Sequence, residues 1–175
     1  IWFDNVRIPR NHLLNRFGDV DEDGNYSSPI ASDARRFFTM IGTLVGGRIT
    51  IGLSGLSAVK SALTVAIRYG NRRRQFGPDG GNTTPLLDYR THQRRLLPSL
   101  ATCIVLDLAL SRLVDRFVDS AGESNRELEG LAAGLKAYTT WFAQDAITQA
   151  RECCGGQGYL VQNRIAALRQ DIDVW

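Results

Sequence analysis

Apolar residues recur at helical spacing in three long runs, separated by short stretches of mixed character. The first run follows Pro29: Phe37, Phe38, Ile41, Leu44, Val45, Ile49, Leu53, Leu56, Leu63 and Ile67 keep the three-and-four spacing of one helix face. Ser32 stands ready to cap it, with Asp33 favourably placed in the first turn, so the pattern predicts a helix from Asp33 to about Phe76. The second run opens at Thr84, with Pro85 at the first helical position, and reaches about Val118, with a kink expected at Pro98. The third begins at a capping box, Ser124 and Glu127, and runs through Leu128, Leu131, Leu135, Tyr138, Phe142 and Gln149 to Cys153 before Gly155 stops it. RIAALRQDI adds a shorter helical stretch near the end. Residues 1–30, with Pro9, Gly18, Gly24 and Pro29 among apolar runs such as IWFDNVRIP, predict a terminal strand and loops. The expected fold is mainly α: an antiparallel helical bundle preceded by a short strand and loop segment.

Between Phe37 and Ile67 the only charged residues are Arg48 and Lys60, so protein or lipid must cover most sides of that helix. A membrane span is disfavoured, because each charge costs roughly 2.5–3.5 kcal/mol at a bilayer centre and neither flank offers about 20 unbroken apolar residues. The same helix carries Gly42, Gly46, Gly47, Gly52 and Gly55, each costing about 1 kcal/mol relative to alanine. Something must approach that backbone closely: a tight helix crossing, or a ligand beside Arg48.

Composition changes this picture little. With 43% hydrophobic and 22% charged residues, the 175-residue chain can bury one sizeable core, which excludes disorder as its main state. The net charge is +3, but acidic residues are spread along the chain, so no general polyanion partner follows. Cys103, Cys153 and Cys154 form neither an even disulfide framework nor a zinc-spaced pair, which points to a reducing compartment. Without a methionine start or a closing cap, the chain reads as a piece of something larger. DVDEDG at 19–24 resembles the opening of a calcium loop, yet its twelfth position is Ile30, preceded by Pro29, so a polar turn is expected. His12 and His92 lack ligand-spaced neighbours. CCGGQG follows a helix and lacks the dinucleotide spacing, and no phosphate-binding GK[ST] loop occurs.

The sharpest local signal is RYGNRRRQFG at 68–77. Cations in a last helical turn complement the helix dipole, which is the plainest explanation. Nucleic-acid binding would need a basic face interleaved with several aromatics, and only Tyr69 and Phe76 are near. A pyrophosphate is the third reading: Arg73 and Phe76, three apart on the predicted helix, would share a face and offer a guanidinium fork beside a ring.

YGNRRRQFG resembles the Y-x-x-x-R-x-Q/T-F-G signature of acyl-CoA dehydrogenases and oxidases, and CCGGQGY at 153–159 resembles their second flavin signature, in the same order and at matching separation. EDGNY at 22–26, TPLLDYRTHQRRLLP at 84–98 and AAGLKAYTTW at 132–141 look more like the oxidases. The resemblance implies an FAD enzyme of fatty acyl-CoA β-oxidation that takes an acyl-CoA and O2 to the trans-2-enoyl-CoA and hydrogen peroxide. An electron-transferring dehydrogenase or a non-catalytic helical scaffold are the alternatives. It further implies that residues 1–30 end a central β domain and that 31–175 form the flavin-covering bundle, in a homo-oligomer with FAD at a subunit interface. The compartment would be peroxisomal in a eukaryote and cytoplasmic in a bacterium.

Carried over by matching position, Arg73 would reach the FAD pyrophosphate of a neighbouring subunit, with Gln75 and Phe76 beside the adenosine half. Glu152 and the backbone of Gly155 and Gly156 would line the same dinucleotide, and Arg48 would lie beside the acyl-CoA. Some family members carry their catalytic glutamate near position 47, where this chain has Gly47. In the oxidase pattern the base follows DVW by a few residues, so it is expected beyond Trp175 and no catalytic residue is assigned within the chain.

Overall fold

The structure is a computed structural model that describes all residues except 79 and 121–125. It divides into two compact units, Ile1–Leu44 and Val45–Trp175.

In the first unit two short strands, β1 (Asp19–Val20) and β2 (Tyr26–Ser27), pair antiparallel around the DVDEDG turn. The turn closes on Asp21, whose carboxylate accepts from the backbone N–H of Asp23 at 3.0 Å and of Asn25 at 2.8 Å. Those bonds hold the Asp21 carboxyl below its usual range, with the Asn25 backbone contribution foremost. The polar-turn expectation therefore has a mechanism. IWFDNVRIP forms no strand, since the strands lie further along the chain where a turn brings two extended segments together. Ser32 caps α1 (Asp33–Gly42) as expected, accepting from the Arg35 N–H at 3.4 Å.

The single long helix expected from Asp33 is interrupted at Thr43 and Leu44. After Gly42 the hydrogen bonds tighten to three-residue spacing, Leu44 to the Ile41 carbonyl at 3.0 Å, and the Thr43 hydroxyl takes the Met40 carbonyl at 2.7 Å. Helix α2 (Val45–Arg72) then begins the second unit. It stops four residues before Phe76, because the next backbone groups find partners across a hairpin: β3 (Arg74–Gln75) pairs with β4 (Thr84–Pro85). Thr84 and Pro85 are thus strand, not helix start, and α3 (Arg90–Asp119) begins only after a 3₁₀ turn at Leu86–Asp88. Helix α3 runs on through Pro98. Helix α4 (Arg126–Cys153) follows; Ser124 of the expected capping box lies outside the described residues. A 3₁₀ segment, Gly155–Tyr159, leads to α5 (Ile165–Asp171), where the sequence predicts a short helix.

Neighbouring side chains fix the helix directions. Gly52 lies against Lys136 and Gly55 against Ala143, so α2 and α4 run parallel. Lys60 meets Asp107 at 2.6 Å, and Arg95 meets Glu152 at 2.7 Å while Arg116 meets Glu127 at 3.1 Å, so α3 runs antiparallel to both. The end of α2, the start of α3 and the end of α4 accordingly share one end of the bundle.

The crossing explanation holds for three of the helix glycines. A Cβ at Gly46 would sit 3.3 Å from the Phe117 ring, at Gly52 3.8 Å from the Lys136 Cα, and at Gly55 3.8 Å from the Ala143 Cβ. Helix α4 answers with small residues: its buried face is Leu128, Ala132, Thr139, Ala143, Ala146, Ile147 and Ala150. That face is rotated from the expected stripe, and Leu131 and Tyr138 point to solvent, because close helix approach selects alanine over larger side chains.

Candidate flavin-binding end of the bundle

Arg73 follows the last residue of α2. Its N–H still donates to the Tyr69 carbonyl at 2.8 Å, while its own carbonyl accepts from Leu86 at 2.8 Å, so the backbone is held from both sides. The guanidinium is exposed and has no hydrogen bond or ion pair among the described residues. Arg74 differs, since its guanidinium donates to the Thr83 carbonyl. Gln75 pairs in register with Thr84, and Phe76, 65% exposed, accepts a hydrogen bond from the Tyr89 hydroxyl on its carbonyl. The common helical face expected for Arg73 and Phe76 does not exist. Extended backbone alternates sides, so a three-residue spacing no longer aligns them.

Gly77 makes the hairpin possible. A Cβ there would lie 2.6 Å from the Thr83 hydroxyl and 2.7 Å from that of Thr84, and its N–H donates to the Gly81 carbonyl at 2.6 Å. The hairpin in turn rests on the start of α3 through Tyr89.

The second signature closes α4. Glu152, in the last turn, is not a free carboxylate: its Oε2 lies 2.7 Å from Arg95 Nη2 on α3. Gly155 takes φ of +54°, the left-handed conformation that ends many helices, and neither Gly155 nor Gly156 has any atom within 4 Å of where a Cβ would stand. Gly158 is there for a different reason, since its Cβ would stand 2.1 Å from the Arg151 carbonyl oxygen. The Arg151 guanidinium stacks 4.9 Å from the centre of the Tyr159 ring, and Asn163 donates to the Gln157 carbonyl at 2.8 Å. A rigid turn therefore presents open backbone at Gly155 and Gly156.

The same bundle end holds groups to which the sequence assigns no site role. His92 abuts Gly70, whose Cβ would be 2.9 Å from Nε2, and that nitrogen is buried without a partner among the described residues. Burial, helped by Arg95, pushes the His92 pKa down. Burial also raises the thiol of Cys153 and pushes that of Cys154 up to about 11, so neither is a thiolate at neutral pH. Arg95 and Arg151 give no local signal, because their partners are remote in sequence or reached only through a turn.

The structure brings Arg73, Gln75 and Phe76 to the same bundle end as Glu152, Gly155 and Gly156. Arg48 is elsewhere: it is half-buried on the first turns of α2, about 37 Å from Arg73 at 1.5 Å per residue. Next to it, Gly46 packs on Phe117 and Gly47 faces open space.

Known proteins resemble the chain over nearly its whole length. Residues 41–174 match the family described as acyl-CoA oxidase, C-alpha1 domain. Acyl-coenzyme A oxidase 2, peroxisomal, of Arabidopsis thaliana is 40% identical over 99% of the chain, and peroxisomal acyl-coenzyme A oxidase 3 of Homo sapiens is 40% identical over 98%. The chain spans 26% of the length of each. Among solved structures, acyl-CoA oxidase 3 of Yarrowia lipolytica superposes with a TM-score of 0.80 at 34% identity, over 98% of this chain and 27% of that one. Acyl-CoA oxidase 2 of Caenorhabditis elegans, bound with FAD, ascaroside-CoA and ATP, gives 0.78 at 30% identity, over 97% and 26%. This chain belongs to the acyl-CoA oxidase family, matching its C-alpha1 helical domain.

Proposed function

We propose that the chain is the flavin-covering helical domain of an FAD-dependent acyl-CoA oxidase, which converts a fatty acyl-CoA and O2 to the trans-2-enoyl-CoA and hydrogen peroxide. One observation carries the reading: a guanidinium unpaired among the described residues and an open glycine turn, both suited to a dinucleotide, are held at the same end of the bundle. The domain reading is residues 1–30 as the end of a β domain and 31–175 as the bundle.

The residues fit FAD. Arg73 has donors for a pyrophosphate that meet no partner among the described residues, Phe76 an exposed ring for the adenosine half with Gln75 beside it, and Gly155 and Gly156 leave room for close backbone approach. Glu152 acts through Arg95, fixing the end of α4 so that the turn keeps its shape. When bound, the flavin accepts the hydride released from the acyl β carbon. Arg48, far along α2, serves the acyl-CoA, so the two arginines of one chain attend different parts of the assembly. That separation supports a homo-oligomer in which each bundle contributes Arg73 to a neighbour's cofactor. No residue of this chain is assigned as the general base: Glu152 is engaged by Arg95 and position 47 is glycine. A peroxisomal location follows for a eukaryotic source.

The test uses the full-length protein. Its flavin is reduced with a saturated acyl-CoA in the absence of oxygen, and air is then admitted while flavin colour and peroxide are followed together. Rapid recolouring with matching peroxide is expected; bleaching that persists in air would place the protein with the dehydrogenases. Arg73→Ala should weaken flavin retention about 10- to 100-fold, the loss of a charge-assisted hydrogen bond worth roughly 1.5–3 kcal/mol. Unchanged flavin occupancy after dilution and dialysis would remove Arg73 from the site.

A further inference from the structure

Two residues in the first turns of α3 reach the two flavin signatures separately. His92 and Arg95, three apart, share one face of that helix. Arg95 holds Glu152 at the end of α4, while His92 lies against Gly70 at the end of α2. A Cβ at Gly70 would stand 2.9 Å from the His92 Nε2, 3.5 Å from its Cδ2 and 3.7 Å from the Leu87 Cβ, so the imidazole and Leu87 close on bare helix backbone. Gly70 is buried in the last turns of α2, where helix propensity favours alanine over glycine. The ring requires the glycine; the helix does not.

This contact sits among the bonds that hold the first signature. The Arg73 N–H donates to the Tyr69 carbonyl across Gly70 at 2.8 Å, and the Arg73 carbonyl accepts from the N–H of Leu86, the neighbour of Leu87, at 2.8 Å. At the other end of the stretch the Phe76 carbonyl accepts from the Tyr89 hydroxyl, and the Tyr89 carbonyl accepts from the His92 N–H at 3.0 Å. Arg73 and Phe76 are thus both tied to the segment that opens α3, and the His92 ring fills the space between that segment and the last turns of α2. Its Nε2 is buried and has no hydrogen-bond partner among the described residues. An enclosed ring has little room to swing aside, so it acts as a spacer of fixed thickness. Burial favours its neutral form, so it adds no cation beside Arg95.

We infer that His92 is a positioning residue for the flavin site: packed on Gly70, it sets the distance between the end of α2 and the start of α3 and thereby the place of the Arg73 guanidinium. The inference rests on the flavin reading above and adds to it a residue that acts through the backbone of α2. It also gives the start of α3 one role toward both signatures, with His92 spacing the first and Arg95 holding the second.

The experiment uses the full-length protein, stripped of flavin and titrated with FAD while flavin fluorescence is followed. Gly70→Ala and His92→Ala should each weaken FAD binding several-fold, the first by pushing the ring outward and the second by letting α2 settle into the space it leaves. The two together should be no worse than His92→Ala alone, because the added methyl then meets no ring. In an Arg73→Ala background neither change should weaken binding further, since the group they position is gone. A general loss of stability would instead weaken binding in every background. Near-ultraviolet circular dichroism identifies a variant that unfolds; if Gly70→Ala does so, His92→Ala with and without Arg73 decides. Full FAD affinity in His92→Ala, or the same loss whether or not Arg73 is present, would overturn the inference and leave the flavin reading intact. Unfolding of both variants would make the contact an ordinary part of the core and overturn it as well. Undiminished affinity in Arg73→Ala itself would overturn the inference together with the assignment of Arg73.

Discussion

Helices α2 and α3 start from nearly the same material and end in different places. The helical stretch Asp33–Arg72, which contains α2, and α3 itself are both long and apolar enough by composition to cross a membrane, with mean hydropathy of 1.4 and 1.7 in their most apolar windows. Yet 50% of the first window is buried inside the protein against 28% of the second. The difference lies in how the apolar residues are sized and partnered. Helix α2 buries Gly52, Gly55, Ala58, Val59, Ala62 and Ala66, and at Gly52 and Gly55 its backbone closes on Lys136 and Ala143 of α4. Helix α3 buries Leu96, Leu106, Leu110 and Leu113 but turns Ile104, Val105 and Leu108 outward. Apolarity says that a helix will be covered; the distribution of side-chain size around it says from where.

The largest expected effect comes from emptying the α2 core. Leu56→Ala, at a site 1% exposed, should lower unfolding stability by roughly 2–5 kcal/mol, whereas Ile104→Ala on the open face of α3 should stay within about 0.5 kcal/mol. Chemical denaturation of both variants checks this, and equal losses would erase the contrast between the helices. The seam itself is probed by size. Gly55→Leu should lose about 1–3 kcal/mol through overpacking, while Ala101→Leu on α3 should lose little. Gly55→Ala should be tolerated, since its Cβ would meet its neighbours at ordinary contact distances. A harmless Gly55→Leu would show that α2 and α4 are not closely joined.

Smaller effects are expected at the bundle end. Arg95 and Glu152 are 47% and 39% exposed, so Arg95→Gln should cost about 0.2–1 kcal/mol, less in high salt. A loss several times larger would mean that the pair holds the glycine turn more firmly than an exposed ion pair can. The finest test is pH. Because His92 has its folded pKa below the ordinary 6.5, the unfolded chain takes up the proton first, and stability falls as pH drops through about 6.5. The fall ends once pH is below the folded value. Denaturation midpoints of wild type and His92→Gln at pH 7.5 and 5 should therefore converge or cross at the lower pH, and parallel curves would show that His92 is solvated.

Much of the fold and part of the site are legible in the sequence itself. Periodicity places three long helices, and the two flavin signatures are recognisable because each compresses its residues into one stretch. The boundaries are less legible where backbone partners come from afar. Nothing in residues 72–76 announces that Thr84 and Pro85 will pair with Arg74 and Gln75, so periodicity carries the helix too far and implies a shared face for Arg73 and Phe76 that the hairpin abolishes. The Arg95 and Glu152 pair is invisible for the same reason, as its members belong to different helices.

The amino-acid order alone determined the helical class and the family, because periodicity and short motifs are local properties of a chain. Only the tertiary structure decided that α2 runs parallel to α4, that both signatures gather at one end with Arg48 far away, that Glu152 is held by Arg95, and that α3 turns Ile104, Val105 and Leu108 outward. Those outcomes depend on which surfaces can approach within a few ångströms, and approach is settled by packing among distant segments.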